Sequence, residues 1–243
     1  MTIGIGITTY NRPEALEQCA ASVLAYAPAG ARLWISDDGS TEDYDEVLAD
    51  LHGAFTVYRA EHANVATSKN RLLKAMMEGG CDHLFLIEDD MVACEPKAFR
   101  SYINGSTRWQ MHHSMYAHHG TRNFQVDADH AFTYHYECVG SWCYYSRFAI
   151  EAVGYMDESF DNCWEHVVHS MLIADAGLMS RGAGWRKWPD VRYSMRYIAE
   201  VEAASTHAGS SEDELMSSER IQAGLRHWQN SYRFPEDLLP LVR

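Results

Sequence analysis

The spacing of the apolar residues changes within the first thirty positions of the chain. The opening TIGIGITTY alternates with period two, which places three isoleucines on one face of a strand and two glycines on the other. From Pro13 to about Ala27 the apolar residues recur with helical spacing, and proline favours the first turn of a helix. The sequence therefore predicts a strand followed by an amphipathic helix that packs on the sheet.

Strand and helix signals continue to alternate up to residue 95. ARLWIS predicts a second strand, residues 55–60 a third, and residues 68–77 a helix that two glycines end. LFLIE is a continuous apolar run, typical of a strand that is buried on both faces. This alternation predicts βαβ units and a parallel sheet.

The pattern is less regular after Pro96. AFRSYINGS and residues 164–177 predict helices, and residues 130–145 predict one or two strands. We expect one domain over residues 1–188. The remaining residues, 189–243, are expected to form a loop and helical extension that packs on the same domain.

Polar residues follow three of the predicted strands at the point where each strand ends. TTYNR follows the first strand, Asp37-Asp38 the second, and Glu88-Asp89-Asp90 the later buried strand. Ligands of parallel α/β sheets bind at the carboxyl ends of the strands, so these three clusters predict one site. The chain has neither GxGxxG after the first strand nor GxxxxGK[ST], so a bound diphosphate would need a divalent cation.

The acidic triplet raises the question of how three adjacent carboxylates tolerate one another. If strand geometry continues past the apolar run, Glu88 and Asp90 point to the same side and Asp89 points away. Two carboxylates on one face suit a hard cation such as Mg²⁺ or Mn²⁺, or one can bind the metal and the other a sugar hydroxyl. An isolated triplet would more often be a solvated strand end, but the two neighbouring clusters favour the cation.

The four segments TTYNRPE, SDDGST, NVATSKNR and the apolar strand into EDD resemble the nucleotide-sugar-binding half of family 2 glycosyltransferases with the GT-A fold. ESFDNCWEHVVHSMLIADAGL resembles the acceptor-side motif of that family. The resemblance implies an α/β fold with a mostly parallel, Rossmann-like central sheet and helices on both faces. Residues 1–95 would form the nucleotide-sugar-binding half and residues 96–188 the acceptor half.

The resemblance also implies an activity and a set of donor-binding residues. The activity would be inverting transfer of a sugar from a nucleotide sugar, usually UDP-linked, to a hydroxyl acceptor. The implied donor-binding residues are Thr8, Thr9, Tyr10, Arg12, Asp37, Asp38, Asn64, Lys69, Asn70, Glu88 and Asp89. Asp37, supported by Asp38, would accept a hydrogen bond from the base, and the third motif would lie near the base and the diphosphate. Ala66 stands in that motif where the family usually has glycine.

EDD stands where the family has its metal-binding DXD motif, with Mn²⁺ or Mg²⁺ as the implied cofactor. Asp90 would hold the metal, with Glu88 near the ribose and within reach of the cation, and with Asp89 assisting. Many GT-A enzymes add a late histidine, for which His207 is the candidate, although a lone loop histidine is more often solvated. A further group of histidines resembles a metal site in composition: His112, His113, His118 and His119. Their spacing and the absence of carboxylates between them favour a solvated or acceptor-lining role instead.

Glu165 is the candidate general base because it lies at a predicted helix start in the acceptor-side motif. An inverting transfer needs one carboxylate opposite the leaving diphosphate to take the proton of the acceptor hydroxyl. Burial beside Trp164 would raise the pKa of this carboxyl, whereas the helix dipole would lower it. His166 is the alternative base, since it stands where the family has a second acid. The chain also has Val168 where the family has another acid and Leu172 where it has arginine.

Composition narrows the partners and the location. A net charge of −14 argues against a large nonspecific nucleic-acid surface, which needs clustered Lys and Arg. No apolar run approaches the ~20 residues of a membrane helix, and the first residues do not resemble a signal sequence. The six cysteines form no CxxC pair, which favours reduced thiols. We therefore expect a cytoplasmic protein.

The acceptor remains open at this level. Aromatic residues near the expected acceptor cleft would stack on sugars or nucleobases, or would fill the core of a strand pair; they are Tyr134, Tyr136, Trp142, Tyr144 and Tyr145. A glycan or lipid-linked sugar is the common acceptor of the family, and a modified base in DNA is a rarer one. A nucleotidyltransferase is one alternative, but it would carry a glycine-rich triphosphate-binding loop, and TTYNRPE is not such a loop. A noncatalytic sugar-binding module is another, and it would keep the aromatic residues without the metal site.

Overall fold

A six-stranded mixed sheet separates two layers of helices. The computed structural model describes residues 1–41, 44–109, 112–115, 123–125, 133–135, 140–160, 163–178, 192–194, 198–200 and 218–232. The first part of the chain forms β1 (Ile3–Thr9), α1 (Pro13–Tyr26), β2 (Arg32–Asp37), α2 (Asp45–Leu51), β3 (Thr56–Arg59), α3 (Val65–Glu78) and β4 (His83–Glu88). The later part forms β5 (Met91–Ala93), α4 (Lys97–Trp109), β6 (His113–Met115), β7 (Asn123–Gln125), β8 (Thr133–His135), β9 (Trp142–Ser146), α5 (Arg147–Val153), α6 (Glu165–Asp175), β10 (Arg192–Ser194), β11 (Ile198–Glu200) and α7 (Ser218–Ser231).

The main sheet has the strand order β3-β2-β1-β4-β9-β6. Strands β1 to β4 are parallel to one another, whereas β9 pairs antiparallel with both β4 and β6. Helices α1, α2 and α4 pack on one face of the sheet, and α3, α5 and α6 pack on the other. The predicted mostly parallel sheet with helices on both faces is therefore confirmed.

Strand β1 is the centre of this arrangement because it pairs with both β2 and β4 and is buried on both faces. Its three isoleucines pack against α1, as the period-two pattern predicts. Its glycines face α3, and a Cβ atom built at Gly4 would lie 2.8 Å from Met76 Sδ and 2.9 Å from Cys81 Sγ. A Cβ atom at Gly6 would lie 3.0 Å from Leu72 Cβ. The two glycines thus allow α3 to lie directly on the sheet.

The central aromatic residues of β9 form core rather than a cleft. Trp142, Tyr144 and Tyr145 are fully buried, since β9 lies between two strands and has helices over both faces. Phe99 of α4 packs against Trp142 with ring centroids 5.2 Å apart. Of the two roles left open by the sequence, the structure gives these three residues the core role. The Tyr134 side chain and Tyr136 lie outside the described residues.

The histidines next to these strands have structural partners. His113 is fully buried, and its two ring nitrogens lie 2.8 Å from the main-chain oxygen of Tyr144 and from Ser170 Oγ. His112 Nδ1 lies 2.9 Å from Ser146 Oγ. The solvated or acceptor-lining role expected for His113 is therefore wrong, and His118 and His119 lie outside the described residues.

Several element boundaries differ from the predicted ones. Helix α3 begins at Val65, before the predicted start, because the Asn64 side chain caps it by accepting a hydrogen bond from the Thr67 N–H at 2.8 Å. Helix α2 was not predicted, and it is a short element that buries only Leu48 and Leu51. Helix α4 continues past Gly105 to Trp109.

The last described helix, α7, packs against α6 and the segment before it. Trp228 joins a buried cluster with Phe160, Val168 and Met171, and Val168 and Met171 belong to α6. The predicted division into a domain over residues 1–188 and an extension over residues 189–243 stays a prediction. No helix within the described ranges is long and apolar enough to cross a membrane.

We expect Gly4→Ala to destabilise the fold by about 1–3 kcal/mol, because the added methyl group forces buried side chains of α3 and its following turn to shift. The measurement is urea unfolding followed by circular dichroism. Gly53→Ala is the matched control, since a Cβ atom there meets nothing within 4 Å. Equal unfolding midpoints for the two variants would contradict this account of the β1–α3 contact.

Candidate active site

The polar clusters that follow β1, β2 and β4 meet at one edge of the sheet. Thr9 of β1 is in register with Asp37 of β2, and Thr8 is in register with Glu88 of β4. Because these strands are parallel, the loops that follow them leave the sheet side by side. The predicted convergence of the three clusters is confirmed at the level of the backbone.

An arginine from the first loop holds the acidic turn after β4. Arg12 Nη2 lies 2.5 Å from Asp89 Oδ1, and Arg12 Nη1 lies 3.4 Å from Asp90 Oδ2. The Thr9 hydroxyl donates to Asp89 Oδ2 at 2.7 Å. Burial raises the pKa of the Asp89 carboxyl to about 7, although Arg12 and Thr9 favour its ionised form. Asp89 is thus an internal anchor for Arg12.

The three acids do not alternate as a continued strand would require. Strand β4 ends at Glu88, and Asp89 and Asp90 lie in a turn before β5. The Glu88 carboxylate lies 2.8 Å from Lys69 Nζ, whereas Arg12 reaches both of the following aspartates. The condition on which Glu88 and Asp90 were expected to share a side, a strand that continues past Glu88, is therefore not met.

Asp90 is the acid of this turn that fits a hard cation. Its side chain is 27% exposed, whereas the Asp89 side chain is fully buried and Glu88 forms an ion pair with Lys69. The described residues contain no cluster of three histidine, cysteine or acidic side chains that could hold a metal ion. Mg²⁺ and Mn²⁺ suit such a site, because they are often held by one or two carboxylates together with substrate phosphates and water. His207, the other candidate ligand, lies outside the described residues.

Tyr10 and His62 form a stacked aromatic pair at the edge of the site. Their ring centroids lie 4.3 Å apart with an angle of 20° between the planes, and Tyr10 is 40% exposed. His62 Nδ1 lies 3.1 Å from both the main-chain oxygen and Oδ2 of Asp38. Gly39 adopts φ +85°, and a Cβ atom there would lie 2.4 Å from the His62 main-chain nitrogen. Glycine at this position lets the loop after β3 pack directly on the loop after β2.

The two aspartates that follow β2 have different surroundings. Asp37 is fully buried: Oδ1 accepts from the Ser40 N–H at 3.0 Å and from the Ser40 hydroxyl at 2.6 Å, and Oδ2 accepts from Arg59 Nε at 3.0 Å. Asp38 Oδ2 accepts from the Ala63 N–H at 3.3 Å. Asp38 Oδ1 is buried and has no hydrogen-bond partner within the described part of the chain. Asp38 therefore has an acceptor to offer a ligand, whereas both oxygens of Asp37 already have partners.

Burial also affects the protonation of Asp38. It raises the pKa of this carboxyl above its usual value, against the opposing effects of the Ala63 N–H and the His62 ring. A ligand N–H group that donated to Oδ1 would favour the ionised form.

The two asparagines of the third motif bind a neighbouring loop. The Asn70 amide donates to the Met156 main-chain oxygen and to Glu158 Oε1, both at 2.8 Å, and its oxygen accepts from the Met156 N–H at 2.9 Å. Asn64 caps α3 and donates to the Glu158 main-chain oxygen at 3.1 Å. These contacts fasten α3 to the loop before α6. The structure therefore gives Asn70 a structural function, and a direct donor contact by Asn64 stays a prediction.

Lys69 lies between Glu88 at the end of β4 and Glu165 at the start of α6. It is 1% exposed, and its Nζ lies 2.8 Å from Glu88 Oε1, 3.3 Å from Glu165 Oε1 and 3.1 Å from the Gly140 main-chain oxygen. Burial lowers the pKa of Lys69, but the two carboxylates outweigh this effect and hold the pKa well above its usual value. An ammonium group has three N–H donors, and here three acceptors are in place. All three donors of Lys69 thus have partners within the protein, and the expected place of the third motif near the base and the diphosphate stays a prediction.

Glu165 lies in the first turn of α6 and is 3% exposed. Its Oε1 faces Lys69 and lies 3.0 Å from His166 Nδ1, whereas Oε2 is buried without a hydrogen-bond partner among the residues that the structure describes. Burial alone would raise the pKa of this carboxyl, but His166 and Lys69 hold it well below its usual value. Burial thus acts in the expected direction on this pKa, but His166 and Lys69 together outweigh it.

The backbone just before Glu165 is held in an unusual conformation. Trp164 has φ 72°, in the left-handed region that favours glycine. Its ring stacks on Trp228 of α7 with centroids 5.7 Å apart. A Cβ atom at Gly224 of α7 would lie 2.6 Å from Trp164 Cδ1, so this glycine lets α7 approach. The C-terminal helix thus supports the residue next to the candidate base.

Three residues at this edge were missed by motif matching: Tyr44, Arg59 and His62. The Tyr44 hydroxyl lies 3.0 Å from Thr9 Oγ1 and accepts a hydrogen bond from the Arg12 N–H. Arg59 ends β3 and binds Asp37, and His62 follows the same strand. Applying the carboxyl-end rule to the third strand would have found Arg59 and His62, whereas no sequence signal marks Tyr44.

Comparisons with known proteins agree with this geometry. Residues 5–93 match the family described as Glycosyl transferase family 2. No curated protein matches the chain in sequence. Among solved structures, mannosyltransferase PcManGT from Pyrobaculum calidifontis, in complex with GDP-Man and Mn²⁺, is similar with a TM-score of 0.58 at 12% identity, covering 96% of this chain and 76% of that one.

A second similar structure is S. aureus TarS 1-349, with a TM-score of 0.59 at 11% identity, covering 95% of this chain and 73% of that chain. TarS 1-349 in complex with UDP has a TM-score of 0.59 at 12% identity, with the same coverage of 95% and 73%. At these identities the likeness concerns the fold. Residues 5–93 therefore match the family 2 glycosyltransferases in sequence, and the fold over nearly the whole chain is similar to that of these solved structures.

Proposed function

We propose that the protein transfers a sugar from a UDP-linked donor to a hydroxyl acceptor, with inversion and with a divalent cation, Mn²⁺ or Mg²⁺, as cofactor. The observation that carries the proposal is Glu165 Oε2, a buried carboxylate oxygen without a described partner, connected through Lys69 to the acidic end of β4. Such an orphaned acceptor in a rigid polar network needs an explanation, and an acceptor hydroxyl supplies one. Similar folds have been solved with GDP-Man and with UDP-GlcNAc, which supports a nucleotide-sugar donor.

Asp38 and Tyr10 are the proposed base-binding residues. Uracil carries one ring N–H donor next to two carbonyl acceptors, and Asp38 Oδ1 is a carboxylate oxygen in need of a donor. The exposed Tyr10 ring offers a face on which a base can stack. This assignment moves the base contact from Asp37, whose oxygens bind Ser40 and Arg59, to the next residue.

Asp90 is the proposed metal-holding residue, with Arg12 fixing the orientation of its turn. A bound divalent cation would neutralise charge on the diphosphate as it leaves. Arg12 binds both aspartates of the turn, so its guanidinium offsets their mutual repulsion. Thr8 and Thr9 lie at the adjoining end of β1 and are proposed to face the nucleotide through the loop that begins there.

Glu165 is the proposed general base. Its Oε2 accepts the proton of the acceptor hydroxyl while the hydroxyl oxygen forms a bond to the anomeric carbon, and the diphosphate departs from the opposite face of the sugar. Because its pKa lies well below the usual value, Glu165 is a weak base, so the proton moves late, when the attacking oxygen has become acidic. His166 Nδ1 is directed at Glu165 Oε1, so in this scheme the imidazole orients the carboxylate.

Replacing Asp38 by asparagine should weaken UDP binding by about tenfold or more, because a hydrogen bond to a charged acceptor contributes about 1.5–3 kcal/mol. Isothermal titration calorimetry with UDP and with uridine measures this, and the loss should be similar for both ligands. Asp50→Asn, at an exposed position on α2, is the control. Unchanged uridine affinity in Asp38→Asn would mean that another residue binds the nucleobase.

Asp90→Ala should remove the gain in UDP affinity that Mn²⁺ gives to the wild type, because the proposed protein ligand of the cation is lost. Titrations with and without Mn²⁺ give this difference directly. Uridine, which has no diphosphate, should bind the variant as it binds the wild type. A variant that kept the full Mn²⁺ effect would refute the role of Asp90.

Glu165→Gln should reduce transfer by about 10²-fold to 10⁴-fold while UDP affinity stays near the wild-type value. In the wild type the depressed pKa keeps Glu165 ionised as the pH falls, so its contribution to kcat is lost only below the usual carboxyl range near about 4. Steady-state rates between pH 5 and 8 test both statements, as orders of magnitude. Retained turnover in Glu165→Gln, or a steep acid limb near neutral pH, would move the role to an imidazole base.

A further inference from the structure

We propose that Lys69 is a positioning residue whose ammonium group holds the donor-side acid Glu88 and the acceptor-side base Glu165 at a fixed separation. The proposal rests on the function proposed above. In this role Lys69 contacts neither the nucleobase nor the diphosphate. Its buried ammonium group connects the two halves of the site.

The link joins α3 and the next strand, β4, to a turn and a helix that lie 71 and 96 positions beyond Lys69. Lys69 projects from α3, Glu88 ends β4, Glu165 begins α6, and Gly140 lies in the turn before β9. The Nζ atom lies 2.8 Å from Glu88 Oε1, 3.1 Å from the Gly140 oxygen and 3.3 Å from Glu165 Oε1. All three ammonium hydrogens therefore have an acceptor, which fixes the head group of Lys69 in position.

Electrostatics explains why a cation is needed at this point. Burial raises the pKa of the Glu165 carboxyl, whereas the His166 ring, with Nδ1 at 3.0 Å, and Lys69 lower it. Removing one partner of a buried ion pair leaves an uncompensated charge. Without Lys69, the pKa of Glu165 would therefore rise.

Gly140 supplies a second, independent sign that this arrangement is tightly fitted. A Cβ atom at Gly140 would lie 2.8 Å from His166 Cγ and 3.1 Å from Lys69 Nζ. A side chain there would push the imidazole and the ammonium away from Glu165. The absence of a side chain at Gly140 thus lets both groups reach Glu165.

The position of Glu88 gives the link its functional meaning. Glu88 directly precedes the turn of Asp89 and Asp90, so the group that orients Glu165 also orients the residue from which this turn begins. A shift of either carboxylate would alter the distance between the attacking hydroxyl and the leaving diphosphate. Misplacement by about 1 Å is enough to cost about 10²-fold in rate.

The experiment uses Lys69→Met, which keeps an apolar stem of similar length and removes the charge. We expect kcat to fall by about 10²-fold while UDP affinity changes by less than about threefold, since other residues contact the nucleobase and the diphosphate. We also expect the acid limb of kcat to move to higher pH, because Glu165 loses a buried cation that lowers its pKa. A purely structural role would lower the amount of folded enzyme without moving this limb.

Two further variants keep the test decisive if Lys69→Met folds poorly. Lys69→Arg retains the charge with a different shape, and it should lower kcat by about tenfold while leaving the acid limb in place. Gly140→Ala retains every charge and should lower kcat without loss of UDP affinity. Thermal unfolding followed by circular dichroism shows which variants are folded under the assay conditions.

The outcomes separate this inference from the proposed function. If the wild type neither binds UDP nor transfers sugar, the proposed function fails. If the wild type is active and the folded Lys69 variants keep kcat within about threefold with an unmoved acid limb, the positioning role is overturned. A Lys69→Met variant that loses UDP binding while turning over normally at saturating donor would instead make Lys69 a donor ligand, which also overturns the proposal.

Discussion

The parallel pairing of β2, β1 and β4 is the constraint on which the site depends. Thr8 and Thr9 stand in register with the ends of both neighbouring strands, so the three loops that carry polar residues leave the sheet at one edge. Side chains from segments separated by tens of residues then meet without any long excursion of the chain. The glycines of β1 reinforce this geometry, because they let α3 bring Lys69 close beneath the same edge.

Much of the fold was predictable because the spacing of the apolar residues indicates which face of each strand or helix is buried. Strand β1, helix α1 and the doubly buried β4 follow from apolar spacing alone, and the parallel sheet follows from their alternation. Helix α2 was not predicted because two buried leucines are too few to define a period. The aromatic residues of β9 were ambiguous for a different reason: a strand buried on both faces and an aromatic-lined cleft have the same composition, and only the neighbouring strands distinguish them.

The location of the site was predictable from the sequence, but the contacts within it were less so. The sequence indicates which residues reach the edge, yet Asp37 and Asp38 are adjacent, and only the structure shows that Arg59 and Ser40 occupy the first. The acidic triplet led to the idea of an external cation, whereas all of its members pair with internal cations, Arg12 or Lys69. The pairing of Arg12 with Asp90 joins residues 78 positions apart, and local patterns carry no record of it.

The left-handed backbone of Trp164 has a consequence for how the molecule can be divided. Its indole rests on α7, and the close approach depends on a glycine sixty positions downstream. A fragment trimmed after α6 would keep every acid of the site but would lose the surface that supports this indole. The part of the chain that supports the site therefore extends to α7, beyond the last polar motif.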